Sequence, residues 1–150
     1  MNTTITTGRA LKLKGHGFIA IGPDATAYDA LELMSGRNIG ALLVMENGTL
    51  IGMFSERDYA RKVILRGKSS KNTTIRELMS APPITITPEA SLHEAMVKMT
   101  ENHIRHLPVM AYGSVLGVIT LGDVVNTIIS EQESTIEELE EYIAGTGYRA

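Results

Sequence analysis

Apolar residues recur with the spacing of a helix face at two places in the chain. The positions are i, i+3, i+4 and i+7 in both places, which lines one side of an α-helix with buried side chains. They are Ala27, Ala30, Leu31 and Met34 in the first stretch and Leu92, Ala95, Met96 and Met99 in the second. A Ser or Thr precedes each stretch, namely Thr26 and Ser91. An acidic residue follows three positions after each of them, which is the spacing of an N-terminal capping box. We therefore predict two amphipathic helices.

Each predicted helix is followed by two short apolar runs joined by a turn. The runs are residues 41–45 and 50–54 around Asn47 and Gly48, and residues 107–110 and 115–119 around Tyr112 and Gly113. A glycine in such a connection supplies the positive φ angle of a tight hairpin. The runs do not alternate between apolar and polar residues, so we expect a sheet that is covered on both faces.

The two stretches are copies of one unit. A shift of 65 residues aligns residues 21–60 with residues 86–125 without a gap, and 12 of the 40 aligned pairs are identical. Each copy ends in a Ser/Thr-x-x-Asp motif, beginning at Ser55 and Thr120, which predicts a second helix. One copy alone is too small for a stable core. We predict an α+β fold of two β-α-β-β-α units packed sheet to sheet with pseudo-two-fold symmetry, plus a C-terminal helical tail.

The repeat also divides the chain into segments. They are an N-terminal segment (residues 1–14), the first copy (15–66), a linker (67–83), the second copy (84–130) and an acidic helical tail (131–150). A short helix is predicted at residues 74–79 of the linker, because Thr74 and Glu77 repeat the capping spacing. The tail continues an apolar stripe beyond the second copy, with an expected break near Ser134. A stripe of this length indicates a partner surface.

Composition and charge narrow the class of protein. The chain has 150 residues, of which 43% are hydrophobic and 21% charged, and it has no cysteine. We expect a cytoplasmic protein with no membrane segment and no thiolate site. The net charge of −3 hides seven basic residues and one acid between residues 57 and 76, and six glutamates between residues 131 and 141. An acidic chain without a recognition motif argues against nucleic acid, and the basic stretch favours a small anion.

The Ser/Thr-x-x-Asp motifs have two compatible interpretations. In the first, the hydroxyl and the carboxylate only cap a helix. In the second, the hydroxyl, the free amides and the positive helix end bind a phosphate, and the carboxylate accepts the hydroxyls of a ribose. Because the motif occurs twice, packing of the copies would create two similar clefts. The spacing alone leaves both interpretations open.

No residue pattern indicates catalysis or a metal site. His103 and His106 have the i, i+3 separation of some metal ligands, but no carboxylate or cysteine accompanies them. Nucleophile elbows and Gly-rich phosphate loops are not found in the sequence. A nucleotide hydrolase would need a general base and a metal cluster. We therefore predict no catalytic residues, no metal and no catalytic cofactor, and a protein that is not an enzyme.

The repeated pattern resembles a tandem cystathionine-β-synthase (CBS) domain pair, also called a Bateman module. The resemblance rests on Ile-Gly-Ala-Leu-Leu-Val and Ile-Arg-His-Leu-Pro-Val in the strands, and on Leu-Ile-Gly-Met-Phe-Ser-Glu-Arg-Asp and Val-Leu-Gly-Val-Ile-Thr-Leu-Gly-Asp at the strand-to-helix turns. It covers residues 15 to about 130. The stretch from Ser55, with Gly-Lys-Ser-Ser-Lys from Gly67, looks like the stand-alone bacterial members.

The resemblance implies adenosine-containing ligands in two clefts between the copies. Asp58 and Asp123 would take the ribose hydroxyls. The residues implied near phosphate are Ser55, Arg57, Thr120, Arg105 and His106. The residues implied around adenine are Gly22, Ala27, Ile39, Gly40 and Val118 in the cleft of Asp123, and Met53, Thr87, Leu92 and Ile104 in the cleft of Asp58. Arg57 has an uncharged counterpart in Gly122, so the two clefts are expected to differ in their ligands.

The leading hypothesis is a regulatory module. It would bind AMP, ATP, NAD(H) or S-adenosylmethionine, form a homodimer as CBS pairs commonly do, and signal its ligand state to an unknown partner protein. The alternative is a ligand-independent interaction scaffold in which the capping boxes are only structural and the acidic tail recruits the partner.

Overall fold

Two hairpins, each preceded by an amphipathic helix, form the centre of the structure. The computed structural model describes residues 4–145. Its elements are α1 (Thr7–Lys14), β1 (Ala20–Ile21), α2 (Ala27–Arg37), β2 (Ala41–Glu46), β3 (Thr49–Ser55), α3 (Glu56–Tyr59), α4 (Ile75–Leu78), α5 (Leu92–Asn102), β4 (His106–Ala111), β5 (Ser114–Thr120) and α6 (Leu121–Gly145). A π-helical turn, Ala60–Ile64, continues α3. This order confirms the predicted α+β repeat.

The strands form one sheet in each unit. In the first, β1 lies parallel to β2, and β2 pairs antiparallel with β3. In the second, β4 pairs antiparallel with β5, and the counterpart of β1 is a single parallel bridge between Ile86 and Val109. Both hairpins turn through two residues of positive φ, 52° and 79° at Asn47 and Gly48 and 52° and 76° at Tyr112 and Gly113. These are the angles that the hairpin prediction requires.

Each unit has its own core between its sheet and its helices. Leu42 and Val44 on β2 are fully buried against α2 in the first core, and Leu107 and Val109 on β4 have the same role in the second. Leu43 is only 1% exposed but lies outside both clusters. Successive side chains of a strand point to opposite faces, so Leu43 is buried on the face away from α2. The sheets are therefore covered on both sides, as the apolar runs predicted.

Each core is completed by a segment that precedes the other unit along the chain. Helix α4 docks on the first unit, where Ile75 N–H donates to the Ala25 carbonyl at 2.8 Å. Helix α1 docks on the second unit, where Thr7 N–H donates to the Ala90 carbonyl at 2.7 Å. Leu11 of α1 is 1% exposed within the second core. The N-terminal segment and the linker are thus structural equivalents, which the sequence comparison did not find.

The helix predicted at residues 74–79 of the linker is confirmed as α4, but its predicted capping bond and the predicted break in the C-terminal helix are wrong. Thr74 precedes α4, but its side chain makes no capping hydrogen bond, because the linker backbone pairs here with the first unit, as in the bridge between Thr26 and Thr74. The expected break near Ser134 is also not seen, since α6 runs unbroken from residue 121 to 145. The Thr135 hydroxyl donates to the Glu131 carbonyl at 2.9 Å, so it is satisfied inside the helix and does not interrupt it.

Candidate ligand-binding sites

The two Ser/Thr-x-x-Asp motifs form complete capping boxes where β3 and β5 end. Asp58 Oδ2 accepts from Ser55 N–H at 2.9 Å, and Asp58 N–H donates to Ser55 Oγ at 3.1 Å. Asp123 Oδ2 accepts from Thr120 N–H at 2.8 Å, and Asp123 N–H donates to Thr120 Oγ1 at 3.1 Å. The capping interpretation is confirmed for both motifs. It commits one oxygen of each carboxylate to the helix terminus.

The first carboxylate has protein partners on both oxygens. Asp58 Oδ1 accepts from Ser80 Oγ at 3.0 Å and lies 3.2 Å from Lys62 Nζ, one helical turn further along the chain. Lys62 Nζ also donates to the Leu78 carbonyl at 2.9 Å. Ser80 reaches this position because its backbone pairs with Met53 on the edge of β3. A ligand at this site therefore competes with several protein groups.

The second carboxylate is held by a lysine from a distant part of the chain. Lys14 Nζ, at the end of α1, lies 2.7 Å from Asp123 Oδ2 and donates to the Val118 carbonyl at 2.8 Å. Both hydrogen bonds to the Asp123 carboxylate fall on Oδ2, and no residue within 4–145 donates to Oδ1. Asp123 thus has one oxygen available for a ligand, whereas Asp58 has both oxygens occupied.

Three of the predicted phosphate residues line one cavity at the N-terminus of α6. The cavity measures about 440 Å³, and Arg105, His106 and Thr120 share it with Leu121, Gly122, Val125 and Asn126. The first amides of a helix have no intrahelical partner and carry a partial positive charge. A guanidinium, an imidazole, a hydroxyl and a helix N-terminus therefore meet here, which is a favourable environment for an anion.

His106 lines the cavity, and its pKa depends on the charges around the second carboxylate. Burial, followed by the charge of Lys14, holds the pKa of His106 below its ordinary value of 6.5. The charges of Asp123 and Glu56 raise this pKa, and the charge of Arg105 lowers it. His106 is therefore neutral at pH 7 and can donate one hydrogen bond to a ligand.

The first unit approaches this region through the loop before β2. A Cβ placed on Gly40 would lie 3.7 Å from His106 Cε1 and 3.7 Å from Glu56 Oε1. Gly40 and Ile39 also line a separate cavity of about 680 Å³ between α2 and α3, together with Glu56 and Tyr59. The structure thus brings Gly40 of the first unit next to His106 of the second. This is the cross-unit proximity expected of a cleft between repeats.

Arg57 connects the two units, and its guanidinium makes no hydrogen bond to the Asp58 carboxylate. Its Nη1 donates to the His103 carbonyl at 2.7 Å, and His103 ends α5 with a φ of 54°. A cation at a helix C-terminus stabilises the last carbonyls. The phosphate role of Arg57 stays a prediction. In this conformation the side chain holds the first unit against the end of α5.

The remaining predicted adenine residues differ in accessibility. Gly22 and Thr87 are exposed, and Ile104 is half-buried. Ala27 and Leu92 are 0% and 3% exposed inside the two cores, so a ligand reaches their side chains only if their neighbours move. Their assignment stays a prediction.

Sequence reasoning missed the three groups that hold the carboxylates, namely Lys14, Lys62 and Ser80. Lys62 stands four residues after Asp58, so its ion pair has a local signal in helical spacing. Lys14 and Asp123 are 109 residues apart, and the sequence contains no signal for their contact.

The family of the chain follows from comparison with known proteins. A family profile of the CBS domain matches residues 15–65 and 75–130. The chain belongs to the CBS domain family. It is a CBS pair, of the kind found in regulatory and signal-transduction proteins. No helix within residues 4–145 is long and apolar enough to cross a membrane.

Relatives of this CBS pair occur in plants and bacteria. The mitochondrial CBS domain-containing protein CBSX3 of Arabidopsis thaliana is 42% identical over 130 residues, which cover 83% of this chain and 63% of CBSX3. The chain therefore spans less than two thirds of that protein. YhcV of Bacillus subtilis is 34% identical over 112 residues, which cover 74% of this chain and 79% of YhcV. A CBS-domain structure from Burkholderia ambifaria has a TM-score of 0.81 at 40% identity and covers 85% of this chain and 96% of its own.

Proposed function

We propose that this CBS pair binds adenosine-containing ligands such as AMP, ATP, NAD(H) or S-adenosylmethionine between its repeats and signals their presence to a partner protein. The observation that carries the proposal is the cavity of about 440 Å³ at the start of α6, lined by Arg105, His106 and Thr120. Pockets for small molecules usually measure about 300 to 1,000 Å³. The capping box that contains Asp123 begins at Thr120 in the same cavity wall.

The chemistry of the groups around this cavity suits a nucleotide. The guanidinium of Arg105 offers positive charge and donors to a phosphate, and the positive N-terminal end of the α6 dipole adds to the attraction. The free Oδ1 of Asp123 can accept a ribose hydroxyl while Oδ2 keeps the helix cap. We therefore propose Asp123 as the ribose residue of the stronger site. Asp58 would serve a weaker site, because Lys62 and Ser80 already occupy its second oxygen.

Calorimetry with AMP, ATP, NADH and S-adenosylmethionine tests the proposal. The variants are Asp123→Asn and Asp58→Asn, because an amide keeps a carbonyl oxygen that can accept the capping bond but removes the charge that attracts ribose hydroxyls. We expect at least one ligand to bind wild type and to bind Asp123→Asn about tenfold more weakly, a change of about 1.4 kcal/mol. Absence of binding by every ligand would overturn the proposal, as would full affinity in both variants.

One observation favours the alternative of a ligand-independent scaffold. Both carboxylates have a lysine partner in the structure, Lys62 for Asp58 and Lys14 for Asp123. On that account the motifs only stabilise the fold, and no nucleotide raises the melting temperature. A ligand at 100 times its Kd should add about 2.7 kcal/mol to the free energy of unfolding, so thermal denaturation with each ligand distinguishes the two accounts.

A homodimer is also part of the proposal. Helix α6 exposes a row of apolar side chains, Val125, Ile129, Ile136 and Leu139, which are 44 to 55% exposed. Their separations of four, seven and three residues return to one face of the helix. Sedimentation equilibrium should give twice the chain mass, and a monomer at all concentrations would contradict this part of the proposal.

A further inference from the structure

Lys14 occupies the second ligand site from within the chain. Its ammonium lies 2.7 Å from Asp123 Oδ2 and donates to the Val118 carbonyl, and both acceptors belong to residues predicted to contact a ligand. The side chain of Lys14 is 36% exposed and that of Asp123 is 20% exposed. The pair is therefore partly screened by solvent and can exchange partners without unfolding the protein.

The helix that bears Lys14 is fixed, whereas the lysine side chain has room to move. Ala10 and Leu11 of α1 are each 1% exposed in the second core, and they anchor the helix. Residues 12 to 18, which follow the anchor, are all exposed. A change of partner at Asp123 therefore requires rotation of the Lys14 side chain and no movement of α1.

The position of Lys14 also places its charge near the phosphate end of the site. Its ammonium donates to the carbonyl of Val118, two residues before Thr120, and its charge acts on His106; Thr120 and His106 both line the cavity at the start of α6. One ribose hydroxyl can bind the free Oδ1 of Asp123, but the second hydroxyl must replace the ammonium at Oδ2, which leaves the lysine without its anionic partner. A nucleoside offers no substitute anion, whereas a nucleotide brings phosphate oxygens that can take up the ammonium.

We propose that Lys14 is a specificity-determining residue of the second site. Its ammonium binds Asp123 in the free protein and moves to the phosphate of a bound nucleotide. The site would thereby select phosphorylated adenosine ligands over adenosine. This inference rests on the proposed function. The first site differs in degree, because Lys62 keeps two partners, the Leu78 carbonyl and the Ser80 hydroxyl, when it leaves Asp58, whereas Lys14 keeps only the Val118 carbonyl when it leaves Asp123.

The test compares adenosine with ATP on wild type and on Lys14→Met. Lys12→Met is the matched control, because Lys12 carries the same charge in the last turn of α1 and is exposed to solvent. The chemical shift of the His106 side chain reports binding at the second site, and calorimetry gives the affinities. We expect Lys14→Met to bind adenosine more tightly and ATP more weakly, so that the ratio of the two affinities falls at least tenfold. Lys12→Met should keep the wild-type ratio.

Each other outcome has a definite meaning. If the ratio of ATP to adenosine affinity is unchanged in Lys14→Met, the inference is overturned. If ATP nevertheless binds wild type, the proposed function still holds. If neither ligand binds wild type or Lys14→Met, both the inference and the proposed function fail. Lys14→Arg keeps the charge and should restore the preference for ATP, which separates a charge effect from damage to α1. If Lys14→Met does not fold, a wild-type ratio in folded Lys14→Gln overturns the inference.

Discussion

Gly52 lies where the linker crosses the edge of β3, and an added methyl group tests whether the linker docks there. A Cβ on Gly52 would lie 2.9 Å from the Ser80 carbonyl oxygen and 2.8 Å from Met79 Sδ. Ordinary contacts of a Cβ begin at 3.4 Å, so Gly52→Ala must push the Ser80 backbone away by about half an ångström. That backbone is held by two hydrogen bonds to Met53, of 3.0 and 2.8 Å.

The cost follows from three contributions. Overpacking in a well-packed region costs about 1 to 3 kcal/mol. Displacement of Ser80 also weakens its hydrogen bond to Asp58, which is worth about 1 kcal/mol. The lower backbone entropy of alanine in the unfolded chain offsets about 0.5 to 1 kcal/mol. We expect Gly52→Ala to reduce the free energy of unfolding by about 2 kcal/mol, and the melting temperature by about 4 to 8 °C for a chain of this length.

Urea denaturation followed by circular dichroism measures this change. Gly36→Ala is the matched control, because Gly36 lies on the exposed face of α2 and a Cβ there meets no atom within 4 Å. Alanine at that helical position should raise stability by about 0.5 to 1 kcal/mol. Wild-type stability in Gly52→Ala, with the expected gain in Gly36→Ala, would refute the docking of the linker against β3.

Three further predictions concern the pH dependence, the core and the caps. The unfolded chain binds a proton at His106 more readily than the folded chain does, because burial and Lys14 lower the pKa of His106 in the folded protein. The free energy of unfolding should therefore fall as the pH drops through 6.5. His106→Gln should flatten this part of the plot of stability against pH. An unchanged curve in equilibrium unfolding would contradict the buried position of this imidazole. Leu42→Ala removes a fully buried side chain and should cost about 2 to 5 kcal/mol by urea denaturation, so a loss below 1 kcal/mol is incompatible with the first core. Thr26→Ala should cost about 1 kcal/mol through its lost cap, whereas Thr74→Ala, which loses no capping bond, should cost clearly less; equal thermal stabilities would disprove the distinction.

Local features of the fold could be predicted because their physical cause lies within a few residues. The capping boxes at Thr26 and Ser55 depend on a hydroxyl and an acid three residues apart, and both form as expected. The hairpin at Gly113 follows from its freedom to adopt a positive φ. At Thr74 the same spacing predicted the helix correctly but not its cap, because pairing of the linker with the first unit decides the local geometry.

Features that depend on tertiary packing could not be predicted. Helix α1 docks on the second unit and α4 on the first, and the 65-residue repeat contains no signal for this arrangement. Thr7 and Ile75 make equivalent docking hydrogen bonds, but they are not separated by 65 residues. The ion pair between Lys14 and Asp123 arises only after α1 has docked on the second unit. The ribose and phosphate roles of the site residues stay predictions that the binding experiments test.

The contact between a ribose and the carboxylate of Asp123 is the central claim, and a double-mutant cycle tests it most directly. The affinities of ATP and 2′-deoxy-ATP are measured for wild type and for Asp123→Asn, with His106 as the reporter of the second site. The account predicts that removal of the 2′-hydroxyl weakens binding to wild type about tenfold and has little effect on the variant. Equal affinity of the two nucleotides for wild type, or the same loss in both proteins, would contradict it.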